Sequence, residues 1–289
     1  MPRFSPTADD WKSSIGELEV GRPPSSCGFD TADEFAEPDR SATRRPAPLV
    51  PSSKEARMDL PFGITEFFDV FEVYNRAIWP AQIVAYLLGL LAFGLTLVRR
   101  RGLGILVSSI LALFWMWTGI VYHMSFFSAI NTAAMAFGAA FLLQGVLFML
   151  SAAREGLDFS PRIDTYTVVG TLFVLYAMVG YPLVGMATGD AYPRAPMFGV
   201  TPCPLTIFTF GIFLLARPRV GLYILVIPFL WSLLGSTAAF TLGIYQDYGL
   251  LVAGVVGLGM LLFRRIQHRG ERGDSATSIG PPPDMGEPV

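Results

Sequence analysis

The chain has 289 residues, of which 52% are hydrophobic and 15% are charged, and its mean hydropathy is +0.49. The only lysines, Lys12 and Lys54, precede the apolar region, which excludes a retinal-type Schiff base. No Asp or Glu lies in the middle of an apolar run, which argues against ion-coupled transporters and proton pumps. The net charge of −2 indicates no partner, and the absence of a basic patch argues against nucleic-acid binding.

Residues 1–57 are rich in Ser, Pro and charge and have no helical or strand periodicity. They cannot bury enough apolar surface to offset the entropy of an ordered chain, so we expect disorder. They also lack the apolar segment of a signal peptide. Ordered patterning begins at once after Met58. Two interpretations stay open: a genuine tail, or an extension from a mis-called start codon with Met58 as the true start.

Residues 58–77 predict an amphipathic helix. Acidic side chains lie mostly opposite one apolar stripe, which contains Ile64, Phe67, Phe68, Phe71 and Tyr74. This helix is too short and too charged to span a bilayer. It either lies in the membrane interface and leads into the first span, or packs on a loop of the helix bundle.

The region from 78 to 264 predicts an all-α, multi-pass bundle, because successive runs of about 20 apolar residues match a bilayer core about 30 Å thick. We predict seven transmembrane helices, at residues 78–98, 104–123, 129–152, 165–187, 203–217, 220–242 and 246–264. A basic and then disordered cytoplasmic tail is expected over 265–289.

Arginines predict the orientation of these helices. Those on one side are Arg99, Arg100, Arg101, Arg154, Arg162, Arg217, Arg219, Arg264, Arg265, Arg269 and Arg272. The other side has only Arg76 and Arg194 near the spans. Because arginine accumulates in cytoplasmic loops, the C-terminus is predicted inside and the N-terminus outside.

The fifth predicted span is short. Pro202 and Pro204 restrict its start, and its fourteen or so residues reach only about 21 Å. Residues 198–204 are therefore expected to be non-helical. Such backbone is tolerated at membrane depth when it is buried in protein or lines a wet cavity. Local bilayer thinning or a tilted loop plug is the alternative.

A faint internal repeat and several small-residue stripes run through the apolar region. Residues 99–107 resemble residues 217–226, which is compatible with a 3+1+3 plan of parallel repeats. Stripes such as Gly249, Ala253 and Gly257 allow helices to approach closely, within one chain or in a homo-oligomer.

Polar side chains collect at the predicted outer ends of the helices. The candidate ligand-binding residues are Tyr122, His123, Asn131, Asp190, Thr201, Cys203 and Asp247. We expect His123, Asn131 and the turn at 201–204 to lie close together. Their polar groups would then satisfy the free N–H groups of helix starts, either as structure alone or as an outward-facing polar pocket for a small molecule.

No cofactor or metal is expected. Cys27 and Cys203 are the only cysteines, and one His with scattered Asp residues is a weak constellation for zinc, since a catalytic site needs three protein ligands. There is no catalytic Ser/His/Asp arrangement and no phosphate-binding loop.

Five segments of the chain resemble one bacterial family, the multi-spanning domain of unknown function 6064. They are residues 68–82 (FDVFEVYNRAIWPAQ), 115–123 (WMWTGIVYH), 130–134 (INTAA), 201–211 (TPCPLTIFTFG) and 227–239 (IPFLWSLLGSTAA). The resemblance covers residues 60–264 and implies an integral protein of the bacterial inner membrane. It implies no activity and no site residues.

Three functions stay open for a protein of the lipid bilayer. The first is the binding or movement of a small uncharged solute, favoured by the absence of charge within the membrane and the broken start of span five. The second is an accessory protein that assembles with other membrane components, and the third is an intramembrane enzyme.

The predicted orientation can be tested by labelling single cysteines from outside intact cells. With Cys27 and Cys203 replaced by Ser, we expect a membrane-impermeant maleimide to label Asp190→Cys but not Gly270→Cys, because the arginine distribution places them on opposite sides. Labelling of position 270 in intact cells contradicts the arrangement.

Overall fold

The computed structural model describes residues 61–98, 100, 102–154, 157–159, 163–216 and 221–277, with the backbone alone from 268. The predicted extension 1–57, the start at Met58 and the last residues of the predicted tail lie outside this part of the chain.

The described chain is helical. Its α-helices are α1 Ile64–Ala77, α2 Ala81–Thr96, α3 Leu103–Trp117, α4 Ala134–Arg154, α5 Thr165–Leu175, α6 Tyr181–Thr188, α7 Pro202–Leu215, α8 Val226–Leu242 and α9 Tyr248–Thr277. Wider π-helical turns continue α3 over Thr118–Phe126 and join α5 to α6 over Tyr176–Gly180. Short 3₁₀ segments precede α8 and α9 at Leu222–Leu225 and Tyr245–Asp247. Phe159 and Ala216 form an isolated antiparallel bridge.

Five helical segments of the described chain are long and apolar enough to cross a membrane: Leu103–Ala129, Ala134–Ala153, Thr165–Thr188, Leu222–Leu242 and Tyr245–Gln267. The pair α1 and α2, bent by 88°, makes a sixth if it counts as one span. Helix α7 is apolar but shorter. The all-helical, membrane-compatible fold is thus confirmed, whereas the count of seven, the orientation and the repeat stay predictions.

Helix α7 forms the centre of the bundle. Every one of its residues except Cys203 and Leu215 is buried, and it packs on α5, α8 and α9. Its fourteen residues reach only about 21 Å, less than the bilayer core. Because neighbouring helices enclose it, the short length exposes no backbone to lipid. Residues 198–201 before it form turns, as expected, but the helix already begins at Pro202, a favoured first position for proline.

Both ends of α7 meet the hydrogen-bonding demand of a buried helix. At its start, Pro202 and Pro204 have no N–H, which removes two donors that a helix terminus normally leaves unpaired. At its end, the Arg264 guanidinium of α9 donates to the carbonyls of Leu214 (3.1 Å) and Phe213 (3.3 Å). The positive charge of Arg264 is also stabilised by the negative end of the α7 helix dipole.

Helix α1 is amphipathic and packs on the connector before α7, residues 189–201. Phe68, Phe71 and Tyr74 are buried as the apolar stripe predicts, whereas Ile64 is exposed. The Tyr74 hydroxyl donates to the Val200 carbonyl at 2.7 Å. Helix α1 therefore packs on a loop of the bundle, which was one of its two predicted placements. Its position relative to a membrane stays a prediction.

One asparagine side chain anchors the same connector. Asn75 Nδ2 donates to the carbonyls of Pro193 (2.7 Å) and Ala195 (2.8 Å). Gln82 Nε2 in turn donates to the Asn75 carbonyl at 2.8 Å. At the surface, Arg194 forms an ion pair with Asp69 at 2.9 Å. Tyr74 and Asn75, which lie in the segment 68–82 that resembles the bacterial family, thus have a structural role: they hold the irregular connector against α1.

Glycines allow two close helix crossings. A Cβ atom placed on Gly211 of α7 lies 2.8 Å from the Gly170 carbonyl oxygen of α5, and the reverse distance is also 2.8 Å. Gly119 and Gly138 face each other in the same way between the π-helical end of α3 and α4. Small residues at such crossings let backbones approach where the hydrophobic effect does not drive helices together.

Helix α9 continues to Thr277, past the end predicted at residue 264. Arg264 and Arg265 mark the end of the apolar stretch and not the end of the helix, because helical hydrogen bonds require no apolar side chains.

Replacing Gly211 with Ala should destabilise the bundle, since the added methyl also lies 2.9 Å from Val174 Cγ2. Overpacking of this kind costs about 1–3 kcal/mol, so the melting temperature of the purified protein in detergent should fall. Gly259→Ala is the matched control, because nothing lies within 4 Å of a Cβ there. Equal melting of the two variants contradicts the tight crossing.

Candidate functional site

One end of the bundle contains a cavity of about 160 Å³. Its wall combines residues of α1, the π-helical end of α3, the region before α4, the start of α7, α8 and the segment before α9. The surface is overwhelmingly apolar and rich in aromatic rings, including Phe71, Phe137 and Trp231. We refer to this space as the aromatic cavity. The sequence predicted an outward-facing polar pocket, whereas the wall of this cavity is mostly apolar.

Five of the seven candidate residues line the aromatic cavity: Tyr122, His123, Asn131, Cys203 and Asp247. Pro202, from the turn at 201–204, also lines it. The chain thus brings together the helix ends that the sequence places at one depth.

The other two candidates do not line the cavity. Thr201 is buried and its hydroxyl donates to the Met197 carbonyl at 2.8 Å, which closes the turn before α7. Asp190 accepts a hydrogen bond from Gln246 Nε2 at 3.3 Å, which connects the connector to the segment before α9. Both contacts are structural.

The π-helical turn after α3 places two adjacent aromatic residues inside the protein. Tyr122 and His123 are 1% and 0% exposed. A regular α-helix turns neighbouring side chains by 100°, whereas the wider turn of a π-helix keeps successive residues closer to one face. Such π-helical insertions often occur at functional sites.

The His123 ring is enclosed by aromatic rings. Five ring centroids lie between 4.7 and 6.0 Å from it, those of Tyr122, Phe127, Phe137, Phe141 and Trp231. Neither ring nitrogen has a hydrogen-bond partner among the described residues. The expectation that His123 satisfies free N–H groups at the start of α7 is therefore wrong: the prolines remove two of those groups.

Asn131 has a local role as well as a place in the wall. Its Oδ1 accepts from the Ala133 N–H at 3.0 Å, the side-chain turn that asparagine often forms before a helix. This contact orders the entry into α4.

The cavity wall includes one buried carboxylate, that of Asp247, just before the start of α9. Asp247 is 3% exposed and accepts a hydrogen bond from the Tyr181 hydroxyl. The Cys203 thiol lies next to it. No ion pair between Asp247 and a basic side chain is found within the described residues. Its position at the start of a helix supplies compensating positive potential from the backbone.

Sequence reasoning did not identify Trp231 or Tyr181 as members of the site. Both lie on helices that are apolar on every side, so periodicity does not distinguish the face towards protein from the face towards lipid. Within the described residues, no group of three or more His, Cys, Asp or Glu side chains could hold a metal ion.

Comparison with protein families adds one finding. Residues 64–272 match the model of a family of unknown function, DUF6064. The chain belongs to DUF6064. Neither a curated protein nor a solved structure matches it. The DUF6064 region contains every residue of the cavity wall except Phe62, so the aromatic cavity is a property of the family's part of the chain.

Two tryptophans of this DUF6064 member allow a test of which indole groups support the fold. Trp115 Nε1 donates to Thr209 Oγ1 at 3.1 Å inside the bundle, whereas Trp231 Nε1 has no partner among the described residues. Trp115→Phe should cost about 0.5–1.5 kcal/mol for the hydrogen bond in addition to packing, whereas Trp231→Phe loses packing contacts but no hydrogen bond.

A double-mutant cycle isolates the hydrogen bond from the packing loss. Trp115→Phe combined with Thr209→Val should show a coupling energy of about 0.5–1.5 kcal/mol in detergent melting curves. The pair Trp231→Phe and Thr209→Val should be additive. A coupling energy near zero for Trp115 and Thr209 contradicts the assignment.

Proposed function

We propose that this DUF6064 protein is a multi-pass protein of the bacterial inner membrane that binds a small uncharged molecule in the aromatic cavity. The observation that carries the proposal is the cavity itself. It combines an apolar wall with a few convergent polar groups, which is the usual composition of a small-molecule site.

The size of the cavity limits the ligand. Sites for drug-sized molecules measure about 300–1,000 Å³, well above the 160 Å³ found here. An apolar cavity of about 150 Å³ accommodates benzene or xenon. The cavity therefore suits a molecule with the bulk of one six-membered ring.

The charges around the cavity favour a neutral ligand. Asp247 is the one carboxylate in the described wall, and the Tyr181 hydroxyl already donates to it. An anion would lie near this carboxylate with no Lys or Arg in the described wall to compensate. Burying an ion without a partner costs several kcal/mol.

The position of the cavity favours binding over passage. The wall residues come from the end of α3, the start of α7 and the segment before α9, which all lie at one end of the bundle. With the orientation inferred from the arginines, this end faces the outside of the cell. Access from one side is what a binding protein or a sensor of the membrane environment requires.

Benzene provides a direct test of occupancy. We expect dissolved benzene to raise the melting temperature of the purified protein, because a ligand of the folded state stabilises it by about 2.7 kcal/mol at one hundred times its Kd. Ala238→Leu fills part of the cavity and should abolish this shift.

Ala136→Leu is the matched control, since Ala136 is exposed on α4 and does not line the cavity. It should keep the full shift. If benzene shifts Ala238→Leu as much as the natural sequence, the shift arises elsewhere and the proposed site is wrong. If no variant shifts, the proposed binding of a small uncharged molecule in the aromatic cavity is wrong.

A further inference from the structure

Two enclosed polar groups in the wall of the aromatic cavity have no hydrogen-bond partner among the described residues. They are the imidazole of His123, at both ring nitrogens, and the indole Nε1 of Trp231. His123 is 0% exposed. The two ring centroids are 5.1 Å apart and the planes are inclined by 74°, so the rings meet edge to face without a hydrogen bond between them.

The other indoles inside the bundle behave differently. Trp115 Nε1 donates to Thr209, and Trp117 Nε1 donates to the Tyr74 hydroxyl at 3.0 Å. The Trp231 indole lies beside the Cys203 sulfur, a weak acceptor, and its Nε1 has no hydrogen-bond partner of good distance and angle among the described residues. A buried polar group without a partner destabilises the folded state, and of these three tryptophans only Trp231, at the cavity wall, has this unfavourable arrangement.

The two groups need a ligand that both accepts and donates. An indole N–H donates only, and a neutral imidazole has one donor nitrogen and one acceptor nitrogen. A hydroxyl oxygen can accept from Trp231 Nε1–H, and its hydrogen can be donated to the unprotonated nitrogen of His123. A hydroxyl is also the smallest group that does both.

We infer that the aromatic cavity binds a neutral molecule with one hydroxyl group on an apolar body the size of one ring, and that His123 and Trp231 recognise the hydroxyl. This inference rests on the proposed function and specifies its ligand class. The apolar body packs against the aromatic wall, with Phe71 and Phe137 among its contacts. Because aromatic rings attract one another in edge-to-face contacts, the aromatic wall favours a ligand whose apolar body is itself an aromatic ring.

A cationic ligand is the strongest competitor. Aromatic walls bind quaternary ammonium groups through cation–π attraction, and Asp247 would add a favourable negative charge. Two observations favour the hydroxyl instead. Asp247 is already bonded to Tyr181, and a quaternary ammonium group would leave the nitrogens of His123 and Trp231 unpaired.

Phenol and fluorobenzene test the inference, because they match in size and differ in the hydroxyl. The full chain, purified in detergent, is titrated with each at pH 7, where phenol is neutral, and affinities are expressed against the free aqueous concentration. We expect phenol to bind about tenfold more tightly than fluorobenzene, the ratio that corresponds to one to two net hydrogen bonds.

Single substitutions assign the preference to the two side chains. His123→Phe and Trp231→Phe should each reduce the ratio to about threefold or less, while fluorobenzene affinity stays within about twofold. Trp117→Phe is the matched control, since this indole is bonded to Tyr74 and does not line the cavity, and it should keep the tenfold ratio. If His123→Phe fails to fold, Trp231→Phe alone decides.

The outcomes separate this inference from the proposed function. Equal affinity for phenol and fluorobenzene in the natural sequence overturns the hydroxyl recognition and leaves small-molecule binding intact. An unchanged phenol preference in Trp231→Phe overturns the assignment to this residue. Tighter binding of tetramethylammonium than of phenol overturns the neutral ligand class. Failure of both phenol and fluorobenzene to bind overturns the proposed function as well.

Discussion

The structure depends on one constraint: a helix too short to cross a bilayer must have its backbone groups satisfied by protein. Helix α7 meets it at its two ends by different chemistry. Pro202 and Pro204 remove donors at the start, and Arg264 supplies donors at the end. Glycine at the crossing with α5 lets the surrounding helices approach closely enough to exclude lipid.

The cavity follows from the same arrangement. Because α7 is shorter than the apolar segments that pack on it, the irregular connector, α1 and aromatic side chains occupy the space at its start. Tyr74 and Asn75 hold the connector in place, and Phe71 of the same helix contributes to the wall. The short central helix and the aromatic cavity therefore result from the same packing arrangement.

Sequence reasoning predicted the parts of this fold that depend on composition and on chain breaks. Apolar runs predicted the helices, and prolines predicted where α7 begins. The charge distribution predicted that His123, Asn131, Cys203 and Asp247 lie at one end of the bundle, where they line the cavity. It did not predict the π-helical turn that buries both Tyr122 and His123, because a one-residue widening leaves no signal in an apolar stretch. Trp231 was missed for a related reason: a uniformly apolar helix does not reveal which side faces protein. The use of Asn75 as an anchor depends on a contact more than 100 residues away.

The capping of α7 by Arg264 has a consequence for biogenesis. A membrane protein is synthesised from its N-terminus, so α7 leaves the ribosome before the arginine that caps it. Until α9 inserts, the carbonyls of Phe213 and Leu214 lack their final donor and α7 lacks one of its enclosing neighbours. The central helix is thus completed by the last helix of the bundle. This order couples the core to full-length synthesis, because a chain arrested before residue 264 lacks the donors for these two carbonyls and one helix that packs on α7.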